Sequence, residues 1–161
     1  MTISTFAADN ADAVLQIPDG GEVSLFFRPF LQEFLDEMQK KFELILYSSL
    51  SKSTLNAVMN HIEKKQKYFV HCFDESFCIF ANVSYGVKCI DFLLTNRSAE
   101  DIIVVDTTVK ALPLTPDNLV PISRYDQNSD DTELVKLAVA LDLISKESDV
   151  RIAIKKNRPS L

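Results

Sequence analysis

An α/β fold is what this sequence predicts, and three stretches carry the prediction. The first is Ile102-Ile-Val-Val105. Its run of β-branched residues without polar alternation predicts a short strand buried on both faces, as in the centre of a parallel sheet. The run ends on Asp106 and passes into Thr107-Thr108, which puts a carboxylate at the carboxyl edge of the sheet, where open α/β folds keep their ligand sites. Capping of a local turn is the competing explanation for Asp106. The second stretch, Phe42-Glu-Leu-Ile-Leu-Tyr47, predicts another core strand and runs into Ser48-Ser-Leu-Ser51. The third observation is helical periodicity on either side of it, Phe30, Leu31, Phe34, Leu35 and Met38 before and Leu55, Val58, Met59 and Ile62 after. Strands alternating with amphipathic helices give an α/β domain.

The remaining elements follow in chain order. Ala13–Ile17 and Val23–Phe27 flank the turn signal Pro18-Asp-Gly-Gly21 and predict a hairpin. Pro29 suits the first position of a helix that ends near Lys40-Lys41, where basic side chains suit the carbonyl end of the dipole. Ser51 or Ser53 supplies the N-cap of the next helix, which runs to about Lys65. Tyr68–Cys72 reads as a strand, and Cys78–Ala81 with Tyr85–Ile90 as a second hairpin around Asn82-Val-Ser84. Leu112–Asn118 is turn-rich and leads to a short edge strand at Leu119–Ile122, where Pro121 rules out a central position. Asp130-Asp-Thr-Glu133 opens a helix carrying Leu134, Leu137, Ala138 and Leu141, its acidic first turn favoured by the dipole. A last short helix is expected around Val150–Ile154.

Composition bounds the function. A chain of 161 residues, 47% hydrophobic and 25% charged, is expected to form a single domain with an ordinary core. No apolar run reaches membrane-spanning length, and the first residues have neither a basic n-region nor an Arg-rich amphipathic face. A net charge of −6 without a basic stripe argues against nucleic acid or an anionic membrane as partner. Cys72, Cys78 and Cys89 lack metal-type spacing and read as reduced thiols. With only His61 and His71, a histidine metal centre or a Ser-His triad is disfavoured. Nothing directs the chain to an organelle, so a cytoplasmic or nuclear location is expected, with a mitochondrial one as the alternative.

Taken in order, Arg28-Pro29, Leu46-Tyr-Ser-Ser49, Asp74-Glu-Ser76, Gly86-Val-Lys88, Val104-Val-Asp106, Pro116-Asp-Asn-Leu-Val-Pro121 and Ser129-Asp-Asp-Thr-Glu-Leu134 resemble the small C-terminal-domain phosphatases. These are also called NLI-interacting-factor-like phosphatases and belong to the haloacid-dehalogenase superfamily. The resemblance runs from about Asn10 to Lys155 and implies a three-layer Rossmann-like fold with a β-hairpin insertion. It implies that Ser48 hydrogen-bonds a phosphoryl group, that Lys88 neutralises phosphoryl oxygens, and that Asp106 binds Mg²⁺, a cation that prefers hard oxygen ligands. Taken alone, Ser48 reads equally well as a helix-entry cap and Lys88 as a solvated lysine.

The departures from the family pattern sharpen the expectation. Thr107 stands where the family usually has Asp or Asn, which weakens the metal site; the presequence-receptor subunit of the mitochondrial inner-membrane translocase shares Asp-Thr at this place. Asp74 replaces an arginine, Cys89 the carboxylate that usually follows the lysine, and Tyr125 a tryptophan. The family's Asp-x-Asp-x-Thr, whose first carboxylate attacks phosphorus and whose second acts as general acid and base, has no counterpart here. Asp9-Asn-Ala-Asp12 lacks both the preceding apolar strand and the threonine.

The expectation is therefore a chain without the first central strand of its sheet, from a mis-called start or as a weakly folded fragment, in which Thr2–Phe6 could fill the slot only poorly. Three functions compete. They are a Mg²⁺-dependent phosphoserine/phosphothreonine phosphatase left inactive by the missing nucleophile, a pseudophosphatase that binds a phosphoprotein or other protein partner, and a presequence receptor of the translocase type.

Overall fold

The computed structural model describes residues 2–4, 10–80 and 86–157. The turn signal at Pro18–Gly21 closes the predicted hairpin, β2 (Ala13–Gln16) against β3 (Glu22–Phe26), with β1 (Thr2–Ser4) on the other edge of β3, all antiparallel. Gly20 and Gly21 take φ of 94° and 93°, a left-handed backbone that only glycine adopts without strain. Thr2–Ser4 thus lies in this antiparallel sheet and not in any slot of a parallel one. Val23 and Leu25 of β3 are buried against Val58 of the second helix.

Pro29 does not open a helix. Arg28 O accepts the Leu31 N–H at 3.2 Å across a turn with Pro29 at its second position and Phe30, φ 64°, at its third. Proline prefers that second position, and the positive φ that follows displaces the helix start to Leu31. Helix α1 (Leu31–Met38) ends one turn before Lys41. Strand β4 (Leu44–Tyr47), α2 (Lys52–Ile62) and β5 (Phe69–Phe73) form a parallel β-α-β unit. Ser51, not Ser53, is the cap, its Oγ accepting the Thr54 N–H at 3.3 Å. The return to β5 is fixed by Glu63, whose Oε1 accepts the Tyr68 and Phe69 N–H groups at 2.8 and 2.9 Å.

The middle of the chain holds short 3-10 turns at Glu75–Phe77, Asp91–Thr95 and Ala99–Asp101. Of the second hairpin, the described part is one antiparallel bridge between Ile79 and Val87, and its Asn82–Ser84 tip lies outside the described residues. Strand β6 (Val104–Asp106) pairs in parallel with β7 (Leu119–Pro121), the short edge strand expected there, with Pro121 opposite Asp106. Asn118, 1% exposed, donates from Nδ2 to Ala99 O and Ile102 O at 2.6 Å each and so ties the entry of β6 to that of β7. Helices α3 (Glu133–Ile144) and α4 (Val150–Asn157) close the chain.

Layering follows from the alternation along β6. Ile103 packs toward the cluster of Met38, Leu134, Leu137 and Leu141 and toward Ile144, Val150 and Ile154, while Ile102 and Val104 pack toward Ile90, Leu112 and Leu119. The expected double burial of the whole run is corrected, however. Val105 is 37% exposed, and Ile102 and Ile103 stand outside the strand. The physical reason is the sheet itself: among the described residues β4-β5 and β6-β7 are separate two-stranded sheets, so β6 has a partner on one edge only.

A buried joint locks these layers together. Arg28 grips Asp131 with two parallel hydrogen bonds, Nε to Oδ1 at 2.9 Å and Nη2 to Oδ2 at 2.8 Å, and also donates to Ser123 O and Oγ at 2.8 and 2.9 Å. Its guanidinium lies 5.7 Å from the ring centroid of Tyr125. Asp131 Oδ1 also accepts the Glu133 N–H, which caps the start of α3.

Candidate functional site

Strand direction decides which side chains meet. β4 ends on Tyr47 and β6 on Asp106, and Lys88 stands between these two ends. Its Nζ lies 2.5 Å from Asp106 Oδ2 and 5.5 Å from the Tyr47 ring centroid. Both members of the ion pair are largely shielded, with side-chain exposures of 14% and 12%. Backbone bonding sets Lys88 in place, because its N–H donates to Ala111 O at 2.7 Å. The carboxyl edge that the sequence assigned to Asp106 is therefore where the lysine arrives. The turn-capping explanation holds as well: Asp106 Oδ1 accepts the Thr108 N–H at 2.7 Å. Thr107, in the bend that follows, is exposed.

Ser48 follows β4 directly, its N–H held by Phe73 O at 2.9 Å. Its hydroxyl accepts the Leu50 N–H at 3.2 Å, so in this state it acts as a local cap. Cys78 connects Ser48 to the ion pair. Its thiol donates to Ser48 O at 3.7 Å. Burial pushes that thiol up, Lys88 draws it back down and Asp106 pushes it up again, so it lies within the field of the pair. Gly86 makes this approach possible. A Cβ there would lie 2.9 Å from Cys78 Cβ and 3.1 Å from Ser49 Cβ, closer than side chains tolerate. Asp74 caps the neighbouring 3-10 turn through Ser76, and those hydrogen bonds hold its carboxyl below the usual range.

Sequence reasoning brought Ser48, Lys88 and Asp106 to one edge and missed Tyr47, Cys78 and the steric role of Gly86. Tyr47 donates its hydroxyl to Phe77 O at 2.5 Å and accepts the Cys89 N–H at 3.4 Å, clasping both arms of the second hairpin. Burial raises its phenol. Around it Phe73, Phe77 and Phe92 pack ring to ring, with centroids 4.8–6.1 Å apart, Phe77 being 45% exposed. The available signal was weak: the density of aromatics between Tyr47 and Phe92 in a chain with no tryptophan.

The donor set does not fit a resident Mg²⁺. Asp106 is the carboxylate at this edge, and both its oxygens are engaged, one by Lys88 and one by the Thr108 N–H. No group of three His, Cys, Asp or Glu side chains is disposed to hold a metal among the described residues. Mg²⁺ demands several oxygen ligands in octahedral array. No helix among the described residues is long and apolar enough to cross a membrane.

Comparison with known proteins matches residues 2–151 to the NLI interacting factor-like phosphatase family. The human "Carboxy-terminal domain RNA polymerase II polypeptide A small phosphatase 1" is 28% identical over 154 residues, which is 94% of this chain and 58% of that protein. The human "CTD small phosphatase-like protein" is 28% identical over 88% of this chain and 51% of its own length. The "Mitochondrial import inner membrane translocase subunit TIM50" of Caenorhabditis briggsae is 34% identical over 77% of this chain and 27% of its own length. This chain thus spans between a quarter and three fifths of these relatives. Among solved structures, the RNA polymerase II CTD phosphatase Fcp1 of fission yeast, bound to beryllium fluoride, matches with a TM-score of 0.56 at 19% identity. That match covers 96% of this chain and 44% of the other, and it bears out the α/β fold.

Proposed function

This chain belongs to the NLI interacting factor-like phosphatase family, and on that premise we propose that its 161 residues form a C-terminal-domain-phosphatase-like module that binds a protein partner and performs no phosphoryl transfer by itself. We infer further that the fold is a three-layer Rossmann-like domain with a hairpin insertion, in which β4-β5 and β6-β7 belong to one parallel sheet. One observation carries the functional reading. Lys88, the cation at the carboxyl edge, is already neutralised at 2.5 Å by Asp106 in a largely shielded pair, its one ion pair among the described residues. Phosphoryl transfer through an aspartyl-phosphate needs a free carboxylate nucleophile and a second group to protonate the leaving oxygen. With Lys88 drawn off Asp106, its ammonium and the Ser48 hydroxyl would hold a phosphoserine or phosphothreonine side chain without the groups to cleave it.

The test is p-nitrophenyl phosphate turnover with and without Mg²⁺, alongside binding of a phosphoserine peptide and its unphosphorylated twin. No turnover is expected, and Lys88→Met is expected to remove any preference for the phosphopeptide. Turnover that disappears in Asp106→Ala overturns the inert reading.

A second reading, a presequence receptor, is favoured by the likeness to the translocase subunit and by Asp106-Thr107. Presequences are basic and amphipathic, which suits a chain of net charge −6. Preferential binding of a basic amphipathic peptide over the phosphopeptide selects this reading.

A further inference from the structure

A groove of about 750 Å³ runs between the antiparallel sheet and α2, and none of Ser48, Lys88 and Asp106 lines it. Val14, Leu15 and Gln16 of β2 line it in succession. Side chains alternate faces along a strand, so three consecutive residues share a groove only where it follows the strand's edge. That edge is open: the sheet has the order β1-β3-β2, and among the described residues β2 has no partner on its other side. Ile17 donates its N–H to Gly21 O at 3.0 Å and accepts the Gly20 N–H at 2.9 Å, which turns its backbone toward β3 and, by alternation, the backbones of Val14 and Gln16 outward. The Val14 side chain is 48% exposed.

The opposite bank is a flank of α2. Lys52, Asn56 and Asn60 recur along it at every fourth residue, with Lys64 just past the helix end. His61 stacks on Phe27 with ring centroids 5.7 Å apart, and Asp12 Oδ2 accepts the Phe27 N–H, so the end of α2 lies beside the start of β2. Lys52 to Asn60 spans about 12 Å of helix and the four residues of β2 about 13 Å of strand, so the two banks match in length. Among the described residues Lys52 and Lys64 form no ion pair, and the amides of Asn56 and Asn60 no hydrogen bond. Lys52 is the last of the influences on the Asp74 carboxyl and does not bond it. Asp19, at the hairpin turn, is the one carboxylate among the described lining residues.

Two lysines on a solvated helix face would mean little alone. Here they face a strand edge whose outward N–H and C=O groups suit an extended chain, and asparagine amides both donate to and accept from such a chain. An added strand presents every second side chain to α2 at steps of about 6.8 Å, close to the rise of about 6 Å between Asn56 and Asn60. The lysines at the two ends set the charge of the occupant. A small anion would meet only one of them, since twelve residues correspond to about 18 Å along a helix axis. We propose that this groove binds an acidic, extended segment of a partner protein as a fourth strand on β2, with carboxylates on Lys52 and Lys64 and polar groups on Asn56 and Asn60. The inference stands whether or not Ser48 and Lys88 hold a phosphoryl group.

The probe is a capped peptide with the core Glu-Val-Glu-Val-Glu, titrated into the whole chain beside versions carrying Gln or Lys in place of Glu, and beside a single-stranded polyuridine RNA. Expected is a one-to-one complex with the Glu peptide that weakens with salt and slows exchange of the Val14 and Gln16 amides about tenfold or more. Lys52→Glu/Lys64→Glu is expected to weaken binding about tenfold or more, and so is Val14→Pro, because an edge strand tolerates proline and loses only an outward donor. Circular dichroism checks that both variants fold; should Val14→Pro fail to, amide exchange in the parent decides the strand pairing. Lys88→Met is expected to bind the Glu peptide as the parent does. Equal binding of the Gln or Lys peptide, loss of binding in Lys88→Met, or unslowed Val14 and Gln16 amides overturns the proposal. RNA that displaces the peptide assigns the groove to nucleic acid, and self-association that protects the two amides without peptide assigns it to a second copy; either result also overturns it.

Discussion

Replacing Arg28 by alanine removes a side chain that is only 4% exposed and holds three segments of the fold at once. It empties both hydrogen bonds to Asp131 and both to Ser123, and it strands a carboxylate whose side chain is 9% exposed with one remaining donor, the Glu133 N–H. Breaking a buried ion pair from one side costs about 3–5 kcal/mol, because the surviving charge keeps its desolvation penalty and loses its partner. Against a typical total of about 5–15 kcal/mol, that is a fifth or more of the stability. At this chain length it corresponds to a melting temperature lower by about 6–20 °C.

Urea unfolding followed by circular dichroism measures the loss, and Arg28→Met/Asp131→Leu apportions it, since deleting both charges together should recover more than half. The pH dependence adds a sign. Hydrogen bonding from Arg28 holds the Asp131 carboxyl below its usual value, so its share of stability is fully present above the unfolded pKa of about 4 and is lost as pH falls through the lower folded value. The Arg28→Ala chain should therefore lose less stability between about pH 5 and 2 than the parent. A cost below about 1 kcal/mol, or a double variant as unstable as the two single losses combined, refutes the reasoning.

The other predictions concern the site edge and the β6 entry. Gly86→Ala places a methyl 2.9 Å from Cys78 Cβ and should cost about 1–3 kcal/mol in urea unfolding, with part restored by Cys78→Gly. Asn118→Ala strips the amide donor from the carbonyl of Ile102 and leaves Ala99 O only the long 3.5 Å bond from the Ile102 N–H, and should cost about 1–3 kcal/mol; a near-neutral result would mean that water replaces the amide. Sub-millimolar Mg²⁺ should leave the melting temperature unmoved, and a saturable shift abolished by Asp106→Asn would contradict the donor count at this edge.

Elements whose residues decide their own structure were legible in the sequence. The hairpin at Gly20-Gly21, the Ser51 cap and the helical faces of α2 and α3 depend on neighbours a few residues away, and they stand where expected. Pro29 misled because proline suits both a helix start and the second position of a turn, and only the left-handed Phe30 decides between them. The burial of Ile102–Val105 misled for a different reason: a β-branched run states what environment it suits, and whether a neighbouring strand supplies that environment is a tertiary fact. Lys88 and Asp106 meet at one edge, while the hydroxyl of Ser48 is turned to the Leu50 N–H, and composition gave no sign that the lysine would be spent on the aspartate. Tyr47 lay inside a run read as core, and its clasp on Phe77 and Cys89 depends on a hairpin whose tip lies outside the described residues.

The division of the parallel strands into two pairs bears on how the backbone tolerates a cut. One pair is built wholly from residues 44–73 and the other from 104–121, so each closes over a short span of sequence. Between them runs the exposed stretch Thr95-Asn-Arg-Ser98, whose Arg97 is a trypsin site paired with Glu43 at the surface. Exposed polar segments of this kind are where chains are nicked or permuted without loss. Cleavage after Arg97 would sever no strand pairing. The two pieces would still be joined by Lys88 on Asp106, by Arg28 on Asp131 and by Met38 among Leu134, Leu137 and Leu141. The chain is thus expected to survive limited proteolysis as a nicked, associated pair.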